Sequence, residues 1–134
     1  DYIESALDVL KAERIDHGVR CVESPALVQR LAASDVALTV CPLSNVKLRV
    51  FNSMSDHNLA FLLELGLKAT INSDDPAYFG GYINDNFHAT FAALPQLGAA
   101  EAYQLARNSL EASFASDKQK QQWLDALDEV FVLE

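Results

Sequence analysis

Apolar residues recur along this chain with two different periods, and the alternation between those periods gives the chain its first outline. Across residues 2–11, Ile3, Ala6, Leu7 and Leu10 fall three or four apart, the spacing of one helix face. Arg14-Ile15-Asp16 is a short strand that closes on His17-Gly18. Ser24-Pro25 then opens a second helix, because serine is a good N-cap and proline suits the first helical position. Leu27, Leu31 and Ala32 give that helix an inner face. Val36 to Cys41 is a near-continuous apolar run, the pattern of a strand covered on both sides, and Pro42 stops it. From Leu43 to Ser55 the pattern is polar and irregular, which predicts a long loop of the kind that tends to be functional. Asp56 is placed to cap a helix through Leu59, Leu62, Leu63 and Leu65 that ends at a left-handed Gly66. A third strand follows over about 68–72. Beyond it the pattern is helical only, over roughly 84–94, 100–113 and 117–131, with Ser116 and Gln119 forming a capping box.

The strands, near 13–17, 36–41 and 68–72, recur at about 25 to 30 residues, the period of βα units in a parallel sheet. This predicts an α/β fold. Three strands are few for a free-standing domain of that class. They suit the last three βα units of an eight-stranded (β/α)8 barrel with a helical C-terminal region, so residues 1–134 are expected to be a C-terminal fragment of one barrel domain. The opening Asp1-Tyr2-Ile3 enters a helix with no initiating Met and no leading strand, which points the same way.

Composition narrows the function. The chain has 134 residues, half of them apolar, enough for a real core. Its formal charge of -9 argues against a nucleic-acid groove or an anionic membrane surface, both of which need clustered Lys and Arg. The densest basic group, Lys118-Gln119-Lys120, reads as a solvated helix face. Cys21 and Cys41 lack C-x-x-C spacing and are read as free thiols of a reducing compartment. No signal peptide or long apolar span is present, so a soluble, cytoplasmic protein is expected.

Candidate chemistry gathers where strands meet loops, the edge at which parallel α/β scaffolds place ligands. Asp74, after the third strand, can bind a divalent metal, act as a general base or cap a turn. The adjacent Asp75 adds like-charge repulsion that a cation or donor groups must offset. Pro76 stiffens this turn. His17 is either a catalyst or a satisfied structural residue, and Gly18 beside it permits close approach of backbone or ligand. His57 and His88, inside helical segments, read as solvated or boundary histidines. Cys41-Pro42-Leu43-Ser44-Asn45 either presents hydroxyl and amide groups to a ligand or is an exit turn. Tyr78, Phe79 and Tyr82 around Gly80-Gly81 form a lid over a flat heterocycle or, preferably, pack on the next helix. Trp123, Leu124, Leu127 and Phe131 read as core or interface. No H-x-H, H-E-x-x-H or C-x-x-C spacing occurs, so the chain does not close a zinc site by itself.

Three segments together, Glu13-Arg14-Ile15-Asp16-His17-Gly18, Cys41-Pro42-Leu43-Ser44-Asn45 and Ser73-Asp74-Asp75-Pro76, resemble the motifs of the adenosine/adenine deaminase family, zinc-dependent (β/α)8-barrel hydrolases. They occur in the family's order and at similar separations, so the resemblance spans essentially the whole chain. It implies that Asp74 is the aspartate ligand of Zn2+ and that Asp75 hydrogen-bonds a purine ring nitrogen. His17 would assist the zinc-activated hydroxide that attacks C6 of the purine. Asp16 stands where adenosine-acting members typically carry glycine and adenine-acting members carry Asp. The run from Asp75 to Tyr82 also looks like the adenine branch. The implied reaction is adenine plus water to hypoxanthine plus ammonia, in purine salvage, with a small purine base as partner.

The family's H-x-H, its third histidine and its catalytic glutamate have no counterpart here. The chain would then carry one of the metal ligands and need the remainder of the barrel. It is expected neither to hold zinc tightly nor to turn over adenine unaided, and its open sheet edges are expected to favour aggregation. The alternatives are an adenosine deaminase and a non-catalytic acidic α/β interaction module. A receiver-type signalling domain would place its acidic pair near the first strand instead of after the third.

Overall fold

In the computed structural model, which describes residues 2–131, the three strands are Arg14–Asp16 (β1), Ala37–Val40 (β2) and Ala69–Ile71 (β3). They pair in the order β1-β2-β3, parallel throughout. The register aligns Ile15 with Leu38 and Leu38 with Ala69, and one residue on, Asp16 with Thr39 and Thr39 with Thr70. Side chains alternate along a strand. Ile15, Leu38, Val40, Ala69 and Ile71 therefore share one face, and all five belong to the core. Leu27 and Leu31 of α2 (Pro25–Ser34), Leu59 and Leu62 of α4 (Leu59–Glu64) and Leu105 of α7 (Ala99–Glu111) fill the same cluster. Each fully buried leucine of this set is worth about 1.5–3 kcal/mol of transfer free energy.

The opposite face carries Asp16, exposed, and Thr39, half-buried. Ala37 and Thr70 on that face are buried, so the two-sided cover expected for the second strand is present except at Thr39. The hydroxyl of Thr39, which interrupts the apolar run, marks the other side.

Several expectations hold in detail. Ser24 Oγ accepts the Leu27 N–H at 3.3 Å with Pro25 at the first helical position, and Gly66 is left-handed at φ 74°. Ile83–Ala93 (α6), α7 and Asp117–Val130 (α8) match the helical C-terminal region, and Ser116 Oγ accepts the Gln119 N–H.

Others are corrected. The first helix, α1 (Tyr2–Asp8), ends short of Leu10, which is 76% exposed. The stretch expected to be irregular begins with a helix, α3 (Pro42–Lys47). Pro42 starts that helix as well as ending the strand. Six residues give no readable period, and the inward Ser44 and Asn45 disguise its buried face. Asp56 closes a 3-10 turn by accepting back from Ser53 N–H, while α4 starts after Asn58. A further short helix, α5 (Pro76–Phe79), follows Asp75. Trp123 is exposed although Leu124 is buried. Among the described residues no helix is long and apolar enough to cross a membrane.

Candidate active site at the carboxyl edge of the sheet

Parallel pairing brings the C-terminal ends of all three strands to one edge. The ladder continues one residue past each flanking strand: His17 N–H donates to Thr39 O at 3.0 Å and Asn72 N–H to Val40 O at 2.8 Å. The chain then turns sharply. His17 and Asp74 both adopt φ 56°, a left-handed conformation that costs a non-glycine residue of order 1–3 kcal/mol. Gly18 follows at φ 71°, and a Cβ there would lie 2.6 Å from Leu38 Cδ2. What approaches Gly18 is therefore the protein's own core.

These turns aim two side chains at each other across the edge. His17 Nε2 lies 3.5 Å from Asp74 Oδ2, with the side chains 36% and 25% exposed. Asp74 is held from both sides: Ser44 Oγ donates to Oδ2 at 2.6 Å and the Asp75 N–H to Oδ1 at 2.8 Å. Asn45, beside Ser44 on α3, reaches His17 Nδ1 at 3.2 Å. The segment from Cys41 to Asn45, left open as ligand-facing or exit turn, supplies the site's supports.

Asp75 has a structural task as well. Its Oδ1 accepts the N–H groups of Ala77 and Tyr78, both at 3.1 Å, as the N-cap of α5. The Asp74–Asp75 repulsion is therefore met by neutral donors. Asp16 Oδ1 accepts from Thr39 Oγ1 at 2.8 Å, a bond that follows from the strand register, and Asp16 remains exposed. Asp16, His17, Cys41, Asn72 and Asp74 line a cleft of about 510 Å³.

His17, Cys41 and Asp74 offer donor atoms within 4.8 Å of one another, an arrangement able to hold a metal ion. Within that set the oxygen of Asp74 and the nitrogen of His17 are available to an ion. Cys41 donates its Sγ–H to Thr39 O at 3.3 Å, and its thiol is pushed up to about 12, first by burial and then by the negative charge of Asp74.

Two side-chain expectations change. His57 is buried, 4% exposed, with Nε2 3.2 Å from Asn45 Oδ1 and Nδ1 accepting the Leu59 N–H at 3.1 Å. Burial lowers its pKa to about 4. The one sequence signal for this was its place two residues ahead of the apolar Leu59-Ala60 pair. His88 is exposed, as read. Tyr78 and Tyr82 are 79% and 69% exposed, so neither packs on α6 as preferred from sequence.

The family model described as adenosine deaminase matches residues 1–130. Adenine deaminase from Trichlorobacter lovleyi is 65% identical over 131 residues, covering 98% of this chain and 38% of that protein. The chain thus spans well under half the length of the curated relatives it matches. The crystal structure of adenine deaminase from Arthrobacter aurescens superposes with a TM-score of 0.92 at 52% identity, over 96% of this chain and 39% of that one. An amidohydrolase from Burkholderia ambifaria with bound Zn superposes at 0.80 and 25% identity, over 96% and 38%. The α/β fold, with its parallel sheet, is that of the last βα units of a (β/α)8-barrel hydrolase. With the family model matching residues 1–130 and both sequence and fold agreeing over nearly its whole length, the chain belongs to the adenosine deaminase family.

Proposed function

We propose that this chain serves, within a complete barrel, a zinc-dependent hydrolytic deaminase that converts adenine and water to hypoxanthine and ammonia. The observation that carries the reading is the meeting of Asp74 and His17 at 3.5 Å on the carboxyl edge of a parallel sheet. Relatives 65% identical and named adenine deaminases support adenine as the substrate.

A carboxylate oxygen beside an imidazole nitrogen is a donor set zinc accepts, and a relative of this fold holds Zn. Asp74 would be the ligand from this chain, and further ligands would come from the rest of the barrel. Zinc supplies a Lewis acid that lowers the pKa of water to about 7. The side chains do the remainder. Ser44 and the Asp75 N–H fix the rotamer of Asp74, so its oxygen is presented without reorganisation. His17 holds a proton on Nε2 toward the oxygen that develops negative charge at C6. Asp75, whose Oδ1 is occupied by α5, offers Oδ2 to a ring nitrogen of the base. Asp16 narrows the cleft where a ribose would need room, which favours a free base. Water oxygen is added at C6, the C6–N bond breaks and ammonia leaves. The reading also places the protein in the cytoplasm, in purine salvage.

The test is turnover of adenine and adenosine by the complete protein, followed by hypoxanthine and ammonia release and by zinc content. Adenine should be preferred by about 100-fold or more in kcat/KM, and Asp16→Gly should narrow that gap. A preference for adenosine, or an Asp74→Asn variant that keeps both activity and zinc, overturns the reading. This chain alone should bind zinc weakly and release no ammonia.

A further inference from the structure

We propose that His57 and Asn45 form a polarised relay that holds His17 with its proton on Nε2, making both of them positioning residues for the reaction. The inference deepens the deaminase reading and rests on it for the role of His17. Its geometry stands alone.

The relay begins at a donor that cannot reverse. The backbone N–H of Leu59, in the first turn of α4, donates to His57 Nδ1 at 3.1 Å. A neutral imidazole that accepts at Nδ1 carries its proton on Nε2. His57 is kept neutral by burial, and its ring lies tilted against that of Phe51 with centroids 4.4 Å apart. Its Nε2–H therefore donates to Asn45 Oδ1 at 3.2 Å. With the carbonyl of Asn45 taken, the amide nitrogen is the atom turned to His17, and it donates to Nδ1 at 3.2 Å. An accepting Nδ1 puts the His17 proton on Nε2, the atom 3.5 Å from Asp74 Oδ2. One backbone N–H thus sets the direction of three successive bonds. Asn45 is 2% exposed, so no water competes for either end.

The polarity is what a merely structural network would not need. A buried Asn and His satisfy each other in either sense, yet only this sense leaves His17 able to donate from Nε2. Asn45→Asp preserves the shape and reverses the relay, since a carboxylate accepts from both histidines and draws the His17 proton to Nδ1.

The experiment is ring 15N NMR of the complete, zinc-loaded protein labelled at histidine, read together with kcat and KM for adenine. Wild type should show His17 protonated at Nε2. In Asn45→Asp the His17 ring shifts should move to the Nδ1–H pattern, with kcat down on the order of 100-fold and KM little changed. His57→Gln, which keeps a donor at the Nε2 position, should preserve the His17 pattern, whereas His57→Asn, too short to reach Asn45, should lose it. Unchanged His17 shifts in Asn45→Asp, or identical behaviour of the two His57 variants, overturns the relay. A wild-type protein that shows the tautomer but does not deaminate adenine would sink the functional reading and leave the relay standing.

Discussion

The two ends of the sheet treat charge in opposite ways. At the amino end, Lys68 Nζ lies 2.5 Å from Asp35 and 3.3 Å from Glu111, and Arg107 pairs with Glu111 at 2.9 Å. Arg14 donates to Ala112 O at 3.0 Å and its guanidinium sits 4.2 Å over the Phe114 ring. Asn108, buried on α7, donates to Ala69 O at 2.7 Å. Lys68–Glu111, Arg14–Ala112, Arg14–Phe114 and Asn108–Ala69 tie α7 and the residues just after it to the sheet, Lys68–Asp35 ties the end of α2 to the start of β3, and Arg107–Glu111 braces α7 itself. At the carboxyl end, Asp16, Asp74 and Asp75 gather with no Lys or Arg within ion-pair distance among the described residues; their partners are hydroxyls, backbone N–H groups and a histidine. Charges that serve architecture come already matched. Acidic groups held by neutral donors leave this edge without a matching cation among the described residues, and the backbone of Asp74, like that of His17, is left-handed.

The contrast can be broken from either end. Under the proposed function Asp74→Asn should have the largest effect: kcat/KM of the complete protein for adenine should fall at least about 1,000-fold with zinc lost, since one change would remove both the proposed ligand and a charge. A variant retaining wild-type activity would make the carboxyl edge as architectural as the other.

The next effect is on stability, through His57. Its folded pKa of about 4 lies below the ordinary 6.5, so between those values the unfolded chain binds more protons than the folded one. The neutral, buried form therefore contributes fully above about pH 6.5, and that contribution is lost as pH falls toward 4. It is worth on the order of 3 kcal/mol. Denaturant titrations of the complete protein and of His57→Gln at pH 7.5 and 4.5 should show the wild type losing more. Equal losses would mean that His57 is not held neutral.

Asn108→Leu should come third, costing about 1–3 kcal/mol because the Ala69 carbonyl is left buried without a donor. Its kcat should stay near wild type, since the damage lies at the amino end. Smallest is Lys68→Met, where the lysine stem is buried and Asp35 is 77% exposed. Chemical denaturation should register a change below about 1 kcal/mol. A large loss of activity from either variant would join the two ends into one functional unit.

Strands and titratable edges were legible in the amino-acid order because they follow rules of period and position. The run over 68–72 became Ala69–Ile71, and His17 and Asp74 stand at strand ends as read. The buried polar layer was not legible. Ser44, Asn45 and His57 look like surface residues in one dimension, since a polar side chain satisfied by another polar side chain leaves no apolar signature. The same gap hid α3. Asp74 and Asp75 need a cation less than their adjacency in the chain suggests, because the α5 N–H groups and Ser44 satisfy much of both. Gly18 was correctly singled out for close approach, but the approaching group is Leu38.

The sulfur of Cys41 has a bearing on which ion the proposed site would accept. Turned onto the Thr39 carbonyl and kept as a thiol, it withholds the softest atom in the neighbourhood. Thiophilic metals such as monovalent copper draw their advantage from thiolate bonds. Denied one, they would meet only oxygen and imidazole at the proposed site, which would favour borderline divalent ions.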